Sequence, residues 1–226
     1  MPDVFIPRSL GIASIGWQLA NVSRGGGVTL SGQEQVVLSP AARWTASVTF
    51  NVFSGRESVA ALVYRSIVRR GRAGSVLVPE TDTRGPGQQA GLVLKKRGIP
   101  HSDGTTFSDG TGYKSTLSVA TLVGSGRLNA TTLTIALSAP LTLSPGMRFS
   151  TPDYRLHEID QVIGRDGAGN WQVSVLPWLR ADYPAGTRLE FDEPCCRMRP
   201  ATDQTGQLII KQRSLSNPAV EFTEAV

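Results

Sequence analysis

The chain has 226 residues, a formal net charge of +5, 40% hydrophobic residues and 18% charged residues. That is the composition of a globular protein rather than a disordered one. No apolar run approaches the roughly 20 residues a membrane-spanning helix needs. The N-terminal MPDVFIPRSL lacks a basic stretch followed by an apolar one, so neither a membrane span nor a secretory signal is expected. Glycine (24) and proline (14) are plentiful, and Thr and Val recur in short runs. Many short strands joined by tight turns would look like this.

In chain order, Gly25-Gly26-Gly27 reads as a flexible hairpin loop. It lacks the Lys-Ser/Thr and the helix start of a phosphate cradle. Arg43 to Phe53 is the clearest strand: Trp44, Ala46, Val48, Phe50 and Val52 fall on one face at period two. A helix over residues 55–70 should follow. Ser54 and Glu57 have the spacing of a capping box. Val59, Leu62, Val63, Ser66 and Ile67 form a stripe at helical spacing. Arg69 and Arg70 suit the carbonyl end of the dipole, and Gly71 can stop the helix. Trp44, Phe50, Leu62 and Ile67 are therefore expected in the core. Ser75 to Pro79 reads as a strand, Thr81 to Ala90 as a Gly/Pro linker, and Leu92 to Leu94 as a short strand.

Next comes a repeat of period six. Ser102-Asp103-Gly104-Thr105-Thr106-Phe107 is followed by Ser108-Asp109-Gly110-Thr111-Gly112-Tyr113. Asp-Gly supplies the positive φ of tight turns. Asp103 and Asp109 are oxygen donors of the kind calcium takes, but the ligand density is too low for a calcium loop. From Leu117 onward the pattern is β. Leu133, Ile135 and Leu137 alternate, Tyr154 to Ile163 forms a longer strand, and residues 166–170 turn into Trp171, Val173 and Val175. Ala185-Gly186 leads to Arg188 to Phe191. Such spacing suggests a compact barrel. Leu208 to Ile210 and Ala219 to Val226 offer one or two further strands.

Basic residues cluster between Arg56 and Arg97, where nine of them face Glu57, Glu80 and Asp82 for a local charge of +6. No reader motif or interleaved aromatics accompany them, so sequence-specific nucleic-acid binding is not expected. Arg65, Arg69, Arg70 and Arg72 crowd one short segment. They are the candidate interface side chains, with dipole complementation and solvation as the competing reading.

Catalytic signatures are missing from the sequence: there is no Gly-x-Ser-x-Gly elbow, His-Glu-x-x-His, Walker loop or dinucleotide fingerprint. His157 sits beside Glu158 on a strand, so the two side chains point to opposite faces and make no dyad. Adjacent Cys195 and Cys196 rarely bond to each other and make a poor zinc site without nearby histidines, so both thiols are expected free. The expectation is no enzyme, cofactor or metal. Two rivals remain: carboxylates that converge in space, as in a glycosidase, and a carbohydrate-binding module that stacks Tyr113, Trp171 and Trp178 on sugar rings, where the alternative is that both tryptophans pack a barrel.

Four stretches, taken in order, resemble the tail-tip proteins of long-tailed phages and prophages, of the distal tail protein type. They are residues 30–35 leading to Arg43-Trp44; the helix ending in residues 70–74; the paired Asp-Gly turns; and Leu156-His157, residues 176–180, 185–187 and Met198-Arg199. The resemblance implies an all-β fold with one packed helix: a β-sandwich platform (residues 1–84), a peripheral small β-barrel, OB-like or galectin-like (85–196), and C-terminal strands returning to the platform (197–226). It further implies a structural virion protein, made in the bacterial cytoplasm and located at the tail tip. Such a protein forms a homo-oligomeric ring, usually a hexamer, contacts the tail tube protein, the tape-measure C-terminus and the hub or baseplate, and lets the genome pass. A receptor-binding tail protein is the alternative within this resemblance.

Overall fold

The computed structural model describes residues 3–7, 10–28, 30–51, 59–82, 84–95, 98–207 and 217–225. The chain is mostly β with one substantial helix, and it divides into two compact units: Met1–Pro79 with Cys195–Val226, and Glu80–Pro194.

The first unit is built on a six-stranded sheet. Its strands are β1 (Val4–Phe5), β2 (Ile12–Ala20), β5 (Arg43–Phe50), β6 (Val76–Pro79), β13 (Cys195–Pro200) and β14 (Ala219–Glu224), in the order β1-β6-β13-β14-β5-β2. All pairings are antiparallel except β1 with β6. Strands β3 (Ser23–Val28) and β4 (Glu34–Leu38) form a separate two-stranded ladder. The alternation in β5 works as its sequence requires: Trp44, Ala46, Val48 and Phe50 are buried, and register places Val220 and Phe222 of β14 and Ile15, Trp17 and Leu19 of β2 on the same face. Trp17 and Trp44 meet edge to face at 6.1 Å. Each large apolar side chain so buried stabilises the fold by about 1.5–3 kcal/mol.

Helix α1 (Val59–Val68) packs on this unit through Tyr64 and Ile67. The Tyr64 ring lies edge to face on Phe50 at 5.4 Å, and its hydroxyl donates to the Gly206 carbonyl at 2.8 Å. This corrects the expected stripe, because Leu62 is 64% exposed. A tyrosine that buries its ring and satisfies its hydroxyl fixes the rotation of the helix, and that turns Val59 and Leu62 outward. The capping box at Ser54 and Glu57 lies outside the described residues, as does Leu208 to Ile210. The helix stops as expected, with Gly71 at φ +55° opening a 3₁₀ turn over Gly71–Ala73. Gly25-Gly26-Gly27 belongs to β3 rather than to a loop, and the chain turns at Leu30–Gly32 instead.

In the second unit β7 (Ala120–Leu122), β8 (Thr132–Leu137), β9 (Arg148–Ser150), β10 (Leu156–Arg165), β11 (Trp171–Leu176) and β12 (Arg188–Leu189) form one antiparallel sheet, in the order β12-β7-β8-β11-β10-β9. Ser150 and Glu190 exchange two backbone hydrogen bonds at 2.9 Å and bring the two edges together, so the sheet is nearly a closed barrel. Closure hides edges that would otherwise recruit other strands. Ile135, Phe149, Ile159, Val173, Val175, Leu189 and Phe191 fill the interior, and Trp171 packs half-buried against it. The expected linker over Thr81–Ala90 begins at the boundary between the two units, and its middle is packed. Gly85, Pro86 and Gly87 are buried, Pro86–Gln89 makes a short helix (α2), and the Gly87 amide donates to the Ser118 hydroxyl. Leu92 to Leu94 is not a strand; no ladder partner reaches it.

Candidate functional site

The basic segment splits when it folds. Arg65 and Arg69, four residues apart, are both exposed on the outer side of α1 with Leu62. Arg70 is half-buried and packs over Gly74, where a Cβ would collide with its side chain. Arg72 lies in the 3₁₀ turn, which is anchored where its amide donates to the Asp203 carboxylate at 2.8 Å. The four candidate interface arginines are therefore not one patch. Two guanidiniums, Arg65 and Arg69, sit beside two exposed apolar side chains, Val59 and Leu62, on one helix face.

The second exposed feature of this unit went unread in the sequence. Strands β2 and β5 pair along their length, and the same ribbon continues as β3 and β4, with the Ser39 amide donating to the Val22 carbonyl between the two ladders. Every described residue of β3 and β4 is exposed. Val28, Leu30, Val36 and Val37 are thus apolar side chains in solvent. Strand β2, nine residues long, is also an outer strand of the six-stranded sheet. The alternation Ile15-x-Trp17-x-Leu19 was the available signal for β2. The arm has no such signal, because neither of its faces is buried.

In the second unit the hexad repeat folds as two like turns. Thr105 and Thr111 each donate an amide and a hydroxyl to Asp103 and Asp109, at 2.9 and 2.7 Å in both cases. These bonds, the threonine hydroxyl first, hold both exposed carboxyls below the usual range. The same period brings His101, Phe107 and Tyr113 into a three-ring cluster, each pair edge to face at 5.0–5.2 Å. Ile99 and Tyr113 close the loop with reciprocal backbone bonds at 2.8 Å.

His157 and Glu158 do point to opposite faces. Glu158 accepts from Arg148 at 2.7 Å, and Arg148 also donates to Glu80 at 2.5 Å. His157 is fully buried against Phe149, with Nδ1 2.9 Å from the Pro177 carbonyl. A carbonyl only accepts, so Nδ1 carries a proton. Burial pushes its pKa from 6.5 down to about 4. Close by, Tyr183 donates to Asp153 at 2.8 Å. Tyr183 also lines a shallow depression with Ser125, Arg127, Leu128 and Asp182, where the Asp182 carboxylate is already engaged by the Leu128 amide.

Neither Cys195 nor Cys196 forms a disulfide; Cys196 is buried and Cys195 half-buried. Among the described residues no three His, Cys, Asp or Glu side chains are grouped to hold a metal. No described helix is long and apolar enough to cross a membrane. Comparison of the chain with protein-family models and with curated proteins gave no match.

Proposed function

We propose that this chain is a structural subunit of a long-tailed phage tail tip, of the distal tail protein type. In this reading it assembles into a homo-oligomeric ring, a hexamer, that joins tail tube to hub and leaves a lumen for the genome. The observation that carries the proposal is the β3–β4 arm. A two-stranded ribbon exposed on both faces is marginal in water by itself. An arm with solvent-facing aliphatic residues such as Val28, Leu30, Val36 and Val37, continuous with a nine-residue outer strand, is built to be covered in an assembly. The order of the resembling motifs supplies the tail-tip identity. Native mass spectrometry and electron microscopy of the full chain test the reading: rings of about six copies support it, and a monomer at micromolar concentration overturns it.

The aromatic cluster of half-buried His101 with exposed Phe107 and Tyr113 favours a second reading, a carbohydrate-binding or receptor-binding protein, because aromatic rings beside hydroxyls and carboxylates suit sugar rings. Glycan-array binding by a stable monomer, lost on Tyr113→Ala, would select it.

A further inference from the structure

Two uncovered surfaces of the first unit complement each other. The tip of the arm carries Val28 and Leu30, with Glu34 directly across the ladder from Val28. Arg24 lies toward the other end, opposite Val37, so the tip is apolar and locally anionic. The outer face of α1 carries Val59 and Leu62, followed by Arg65 and Arg69, so it is apolar and locally cationic. Glu34, Arg65 and Arg69 have no ion-pair partner among the described residues. Both surfaces are exposed in the same chain, so a copy does not cover its own helix with its own arm.

We propose that the arm tip of one copy seats on the outer face of α1 of the next, with Val28 and Leu30 against Val59 and Leu62, and Glu34 against Arg65. The inference rests on the ring reading and names the contact that builds the ring. The two surfaces differ, so the contact is heterologous: each copy gives an arm and receives one, and the chain of contacts closes when its rotation does. Apolar burial supplies the attraction and the ion pair sets the register. An arm-on-arm contact would be isologous and would stop at two copies.

The test uses two full-length variants at exposed positions, Leu30→Asp to spoil the arm and Leu62→Asp to spoil the helix. Thermal unfolding checks that each stays folded. Each alone is expected to be monomeric. Mixed, they retain one good arm and one good helix per pair, so they are expected to form heterodimers and no rings. Charge reversal adds a second readout. Glu34→Arg or Arg65→Glu should weaken assembly about ten-fold, and the double reversal should recover most of the loss. A wild-type monomer overturns the ring reading and this contact with it. Wild-type rings that persist in either aspartate variant overturn the contact alone. So does Leu62→Asp that leaves rings intact but abolishes capture by phosphatidylserine vesicles, an acidic peptide or DNA, because the helix face then serves that ligand.

Discussion

The barrel unit should lose stability in mild acid because of His157. A histidine with a depressed folded pKa contributes stability that is present above its unfolded value and is lost as pH falls toward the folded one. Here the window runs from 6.5 down to about 4. Burial against Phe149 dominates the shift, opposed by the bond to Pro177. The Arg180 and Arg155 charges disfavour the proton, while Asp153 favours it. At about 1.4 kcal/mol per pH unit, the linkage removes about 2 kcal/mol by pH 5 and about 3 kcal/mol by pH 4. For a domain worth about 5–15 kcal/mol this is a large fraction. Carboxyls such as Asp82, which its bonds to Arg84 hold below 3.8, act at lower pH and do not share the window. Urea unfolding between pH 7.5 and 4.5 measures the slope. His157→Asn places an amide nitrogen near Nδ1, keeps a donor for Pro177 and cannot titrate. It should be less stable at pH 7 but nearly flat between pH 6.5 and 4.5. An unchanged slope in this variant would refute the assignment to His157.

Phe50→Ala removes the ring under Tyr64 and should cost about 3–5 kcal/mol in thermal unfolding, because the site is fully buried. Arg148→Met leaves Glu80, only 3% exposed in its side chain, without its cation. The expected loss is about 2 kcal/mol at neutral pH, reduced from the deeply buried case because Arg148 itself is partly in water. A thiol reagent should modify Cys195 before Cys196 in the native protein and both after denaturation, and a mass shift of only one adduct after denaturation would contradict free thiols.

Local pattern made β5 and the turn at residues 166–170 legible, because alternation and turn chemistry are written in adjacent residues. The helix was legible in place but not in rotation. Apolar spacing allows two stripes one residue apart, and only the Phe50 and Gly206 partners of Tyr64 decide between them. The arm was illegible because a ribbon with no buried face has no hydrophobic period to read. The four-arginine cluster was visible as charge. Its division into an exposed pair, a folded-back Arg70 and a turn residue depends on Gly71 at positive φ and on Asp203, far along the chain. The orientation of His157 followed from strand alternation, while its burial required Phe149 and Pro177 from other segments.

Pairing of β6 with β13 shows how the first unit can carry the second as an insertion. Pro79 and Cys195 are directly opposed at the end of the antiparallel ladder, and beyond them the Glu80 amide donates to the Pro194 carbonyl at 2.8 Å. The chain therefore leaves and re-enters the first unit at one place, as a hairpin would. A short flexible connection such as Gly-Ser-Gly-Ser can join such a ladder end, since opposed strands lie only about 5 Å apart. Replacing Glu80–Pro194 with Gly-Ser-Gly-Ser should then leave the first unit folded, with the Trp17–Trp44 and Phe50–Tyr64 contacts intact. It should also leave the arm and the outer face of α1 free to assemble. Near-ultraviolet circular dichroism reports the aromatic packing, and native mass spectrometry reports the ring. An unfolded deletion variant would show that the platform needs the barrel to fold. A folded but monomeric one would show that the barrel contributes to the ring contact, and would contradict assembly by arm and helix alone.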